Sequence, residues 1–129
     1  MFKKITTFSV VIIPVFLILH FLGWWKGYYD LNGYDKLVHF LAGAGVVSVV
    51  LWILEIRKVE TIKKQLISLI ILFFISVCWE ILEYSSYHFI GRQEIDYSQT
   101  GWLDTLGDFT ANFTGATVIL IWLYFQEKT

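Results

Sequence analysis

Four times along the chain an apolar run returns, each of roughly 20 residues, the length that a helix needs to cross a bilayer. The first covers Ile5–Trp25 and contains Pro14, which a membrane helix tolerates as a kink. The second covers Lys36–Leu54, the third Gln65–Ile90 and the fourth Leu103–Phe125. In the third, only Leu66–Trp79 is free of charge, too short a stretch to span alone. Either Glu80 and Glu83 lie within the membrane or the segment is re-entrant. The expected fold is therefore all-α, an integral membrane bundle of four helices forming one domain over residues 1–129.

Composition supports this reading and excludes others. The chain has 129 residues and is 57% hydrophobic and 19% aromatic. A soluble domain of that size cannot hide so much apolar surface. A net charge of −1 provides no basic field for nucleic acid. The one cysteine, Cys78, permits no intramolecular disulfide. The opening "MFKK" and the apolar stretch after it have the look of a secretory signal. However, "LGWWKGYY" lacks the small residues of a cleavage site, so the stretch is expected to stay as the first helix.

Basic residues set the direction. With the N-terminus inside, Lys3, Lys4, Arg57, Lys58, Lys63, Lys64 and Lys128 are cytoplasmic, while Lys26, Lys36 and Arg92 are outside. Seven against three satisfies the positive-inside rule and places both termini in the cytoplasm. Trp24, Trp25, Tyr28, Tyr29 and Trp102 then mark the outer interface, and Trp52, Trp122 and Tyr124 the inner one.

This topology gathers the polar residues into the outer half of the bundle. The second helix enters through "YDKLVHF" with His39. The third leaves through "WEILEYSSYHF", with Glu80 and Glu83 on one face. The fourth enters with Asp104, Asp108 and Asn112 at four-residue spacing, again on one face. With His88 and Asp104 both at the outer interface, the helical rise puts Asp108 at a depth of about 6 Å. By the same rise Asn112 lies about 12 Å deep. Glu83 then comes at about 7.5 Å and Glu80 at about 12 Å. Asp108 is therefore expected level with Glu83, and Asn112 with Glu80.

An ionised acid at mid-membrane costs on the order of 3 kcal/mol, so such acids must be protonated, paired, hydrated or metal-bound. Acids outnumber nearby cations here, which points to a bound divalent ion. Oxygen ligands suit Mg²⁺ or Mn²⁺ (Ca²⁺ is of the same kind), and His39 adds Zn²⁺. Asp104, Asp108, Glu80 and Asn112 are the expected metal ligands, His39 and Glu83 the catalytic bases. Lys36 and Arg92 are the candidates for an anionic headgroup. Several of these features also have plain structural readings. Gly43, Gly45, Gly107, Ala111 and Gly115 suit close helix packing, Asp104 an N-terminal cap, and Asp35 with Lys36 a surface pair. Tyr84, Tyr87, Ser85 and Ser86 suit helix packing, and His20 and His88 the interface.

Three functions are compatible with this pattern. One is a metal-assisted enzyme acting on a lipid or lipid-linked cell-envelope substrate. Another is a non-catalytic protein whose polar network is structural and which acts through a partner or envelope ligand. The third is cation or proton transport. For that route the greasy inner half, with Ser48, Ser68, Ser76 and Thr117, offers thin material unless an oligomer builds it.

The stretches "YDKLVHFLAGAG", "WEILEY" and "DTLGDFTANFTGA" together resemble the VanZ-like and YjdF-type small bacterial membrane proteins. Those share a D-K-x-x-H-F helix opening and a late D-x-x-x-D-x-x-x-N-x-x-G segment, and the glutamate pair is nearer the YjdF type. The resemblance covers Tyr34–Ala116. It implies a four-helix protein of the bacterial cytoplasmic membrane, in a group where some VanZ-like members are associated with glycopeptide resistance. It names no reaction.

Overall fold

A computed structural model describes the backbone of residues 2–90 and 101–127, and the side chains of 5–29, 31–85 and 101–126. Among these residues there are four α-helices and no strand: α1 (Phe2–Lys26), α2 (Tyr34–Ile56), α3 (Thr61–Ile90) and α4 (Trp102–Glu127). All four are long and apolar enough to cross a membrane. Each covers the segment read from the sequence and extends it at one or both ends. Most of the extra residues are polar or aromatic ones that a hydropathy window discounts but a helix accommodates. Pro14 lies inside α1 without ending it. α3 is one continuous helix that contains Glu80 and Glu83, which removes the re-entrant alternative.

The α1–α2 connection contains a single 3-10 turn, Tyr28–Asp30. It ends at Gly33, whose φ of 81° lies in the left-handed region that glycine enters without a Cβ penalty. Two side chains tie this corner back to α1: the Tyr34 hydroxyl donates to the Leu19 carbonyl at 2.6 Å, and Tyr29 bonds His20 at 2.5 Å. At the other end of the bundle, α2 and α3 are joined by a short turn in which Lys58 takes φ 56°.

α2 is the centre of the molecule, packing most extensively on α4, then on α1, and less on α3. The intimacy with α4 has a specific cause. A Cβ on Gly43 would overlap the Asn112 carbonyl, and one on Gly115 would overlap the Phe40 carbonyl. The two backbones touch at these reciprocal points, so Gly43 and Gly115 do the packing expected of them. Around them Ile5, Ala44, Val47, Leu51, Leu72, Ala116, Ile119 and Leu123 form the buried apolar cluster. Large apolar side chains such as Leu17, Phe21, Phe74, Ile81 and Ile121 face outward, as suits a bundle whose solvent is lipid.

Candidate functional site

The polar side chains converge at one end of the bundle, where α2 and α4 begin and α3 runs towards its end. α2 supplies Asp35, Lys36 and His39 from its first turns. Their spacing puts Asp35 and His39 on one face, with Lys36 turned towards α4. α4 supplies Asp104, Asp108 and Asn112 as a single inward stripe, and Asp108 is only 1% exposed.

The site has two parts. In the first, the Lys36 ammonium sits among three carboxylates, at 2.5 Å from Asp104 Oδ1, 2.5 Å from Asp108 Oδ1 and 3.0 Å from Asp35 Oδ2. Its stem lies against Gly107, where an added Cβ would come within 3.0 Å of Lys36 Cε. Gly107 thus makes the channel through which the lysine reaches its acids. The sequence suggested that Lys36 would grip an anionic headgroup and that Asp104 and Asp108 would hold a metal. Instead, the structure sets the ammonium between those two aspartates, so that each satisfies the other. Charge-assisted contacts of this kind are the strong ones, and they make Lys36 an internal counter-ion.

The second part joins all three helices. His39 Nδ1 lies 3.3 Å from Asn112 Nδ2, which also donates to Ser76 Oγ at 3.1 Å. With Asn112 donating, Nδ1 is an acceptor and Nε2 carries the ring proton. That proton is directed towards Asp35 and Asp108, whose oxygens lie 3.5 and 3.6 Å from Nε2. On the α3 side stand Glu80 and Glu83. Glu80 accepts a hydrogen bond from Thr105, yet Glu80 Oε1 and Glu83 Oε2 are both buried with no hydrogen-bond partner. These carboxylates and His39 each offer a ligand atom within 4.8 Å of the others. A buried acceptor left unmade costs about 1–3 kcal/mol, so two converging beside an imidazole form a donor set that suits a divalent cation. A second such group, Asp35, His39 and Asp108, has the same spacing, but Lys36 already sits on two of its members.

The vertical register differs from the expected one. Glu80 meets Thr105, and Asn112 meets Ser76 rather than Glu80. Ser76 stands beside Asn112 where Glu80 was expected, so α3 is shifted along α4 by about one turn. Aligning His88 with Asp104 was therefore the wrong anchor. The structure adds Asp35, Ser76 and Thr105 to the site. Ser76 could have been found from its position one turn before Glu80 on the same face, while Thr105 carried no signal of its own.

A ring of aromatics closes the α1 side. His20 packs edge-on against Trp79 with centroids 5.3 Å apart and against Tyr29 at 5.9 Å, and Tyr34 lies across Tyr29 at 5.6 Å. Tyr29 lies outside the spans, and burial, followed by the nearby Asp35, holds its phenol above the ordinary range. It therefore stays a hydrogen-bond donor to His20. Tyr84 is exposed on the outer face of α3. Arg92, and the side chains of Ser86, Tyr87 and His88, lie outside the described residues.

Compared with known proteins, the chain matches the family model described as "Predicted membrane protein (DUF2238)" over residues 3–129. No curated protein and no solved structure matches it.

Proposed function

Because the chain belongs to the DUF2238 family of predicted membrane proteins, we propose that it works as a membrane protein through one polar site in the outer half of the bilayer. On this reading the site binds a divalent cation and acts on a lipid or lipid-linked envelope substrate. One observation carries it: Glu80 Oε1 and Glu83 Oε2 are buried without partners and converge on His39. Glu80, Glu83 and His39 would be the ligands. The oxygen-rich set suits Mn²⁺ or Mg²⁺, and the imidazole suits Zn²⁺. When bound, such an ion polarises a phosphoryl or carbonyl oxygen, or acidifies water.

The chain's own residues then divide the work. Asn112 meets the His39 ring at Nδ1; ligation through Nε2 would take the tautomer with the ring proton on Nδ1, donated to the Asn112 amide turned to present Oδ1. Asp108 Oδ1 lies 3.6 Å from Nε2. Lys36 pairs with Asp104 and Asp108 and keeps them in place. The positive-inside charge distribution supports an outward-facing mouth. The likeness of "YDKLVHF", "WEILEY" and "DTLGDFTANFTGA" to VanZ-like and YjdF-type proteins supports a bacterial inner-membrane setting and an envelope substrate.

A second reading draws on the Lys36 half of the site. That half is fully satisfied by its own carboxylates, as a purely structural network would be. Calorimetric titration of Mn²⁺ and Zn²⁺ into chelator-stripped protein in detergent separates the two readings. A metal site predicts saturable binding that is lost in Glu80→Gln/Glu83→Gln. Absence of binding by the folded wild type, or binding unchanged in the variant, selects the structural network.

A further inference from the structure

One face of α3 carries Lys64, Ser68, Leu72, Ser76 and Glu80 at intervals of four residues, with Glu83 three further on. Lys64 and the two serines are buried. Lysine is rarely buried unless paired, and Lys64 is paired, with Glu55 of α2. Beside that pair is a cavity of about 20 Å³, bordered by Thr61, Lys64, Gln65 and Tyr124 among others. It has room for about one water. Across from α3, Ser48 of α2 is buried as well. The bundle therefore has polar groups at both ends of its interior. At the site end they reach inward as far as Ser76 and Asn112. From the opposite end they run through Lys64 and Glu55 to Ser68 and Ser48.

Between the two lies one apolar layer. Leu72 on α3 is 1% exposed, and Val47 on α2 and Ala116 on α4 are fully buried in the same packed cluster. Ser68 and Ser76 are separated by about 12 Å along the helix, and Leu72 is the position between them on that face. Ser68 donates to the Gln65 carbonyl and Ser48 to the Gly45 carbonyl, each at 2.8 Å, so neither hydroxyl bridges the gap. An apolar constriction of this kind excludes water by dewetting. Small-residue packing would account for the serines but not for a buried ammonium paired with a half-buried carboxylate.

We propose that Leu72, Val47 and Ala116 form a seal, and that it is the barrier separating an outer polar compartment from an inner one along α3. The seal makes the site a cleft open at one end and stops water and protons from reaching the Lys64–Glu55 pair. This inference goes beyond the metal reading and does not depend on it.

The test is proton flux into liposomes holding a pH-sensitive dye, driven by a potassium diffusion potential. Wild type is compared with Leu72→Asn and Val47→Thr, the second adding a hydroxyl at nearly unchanged shape. Folding is checked by elution profile and helical content. Wild-type flux at the protein-free background, with a severalfold rise in each folded variant, is the expected result. Wild-type flux above background would overturn the seal, and so would folded variants that stay at background. Should Leu72→Asn fail to fold, Val47→Thr decides alone.

Discussion

Asn112 connects packing and chemistry in one residue. Its carbonyl abuts Gly43, and its side-chain amide holds both Ser76 and His39. Gly43→Ala places a methyl inside the Asn112 backbone, which cannot yield as a flexible side chain would. A loss of about 1–3 kcal/mol is expected in denaturant unfolding of the detergent-solubilised protein. Asn112→Leu leaves the ligands in place but frees the His39 ring, so Mn²⁺ or Zn²⁺ affinity should weaken about 10–100-fold by calorimetry with helical content retained. The sequence already pointed to His39, Glu80, Glu83, Asp108 and Asn112 as inward-facing, because helical spacing dictates the face. Which of them touch was not legible there. Lys36 stands next to Asp35 in the chain, and only the α2–α4 crossing reveals that it also reaches Asp104 and Asp108.

The helices themselves were readable from hydropathy, since a backbone in lipid must satisfy its own hydrogen bonds. Their mutual register was not, because nothing in a single chain's periodicity fixes how far one helix slides along another. α3 shows the difference. Its length and face were legible, whereas its outward displacement against α4 was not. At its opposite end Lys64, one of the charges tallied as cytoplasmic, is buried and paired with Glu55, which the charge count does not reveal. Breaking such a pair leaves a charge alone in the interior. Lys64→Met should therefore destabilise the bundle by about 3–5 kcal/mol, and adding Glu55→Leu should recover most of that loss. Unfolding of the two singles and the double as a mutant cycle measures this coupling. Additive losses would show that the two side chains do not act as a pair.

At the scale of the molecule, the charge distribution predicts the orientation, and the proposed access to an envelope substrate depends on it. In a Cys78→Ser background, Asn32→Cys should react with a membrane-impermeant thiol reagent in intact cells. Lys58→Cys should react only after permeabilisation; the reverse pattern would turn the site towards the cytoplasm. The four-helix membrane fold needed only apolar runs and was plain in the sequence, as the family match over residues 3–129 agrees. The site's division into an internally paired aspartate–lysine half and an unsatisfied glutamate–histidine half needed coordinates. On the proposed reading that second half makes the protein more than a packed bundle, and metal content tests it most directly. Mass spectrometry on protein purified without chelator should find close to one divalent ion per chain in wild type and none in Glu80→Gln/Glu83→Gln. Wild type free of metal, or a variant that keeps it, would contradict the account.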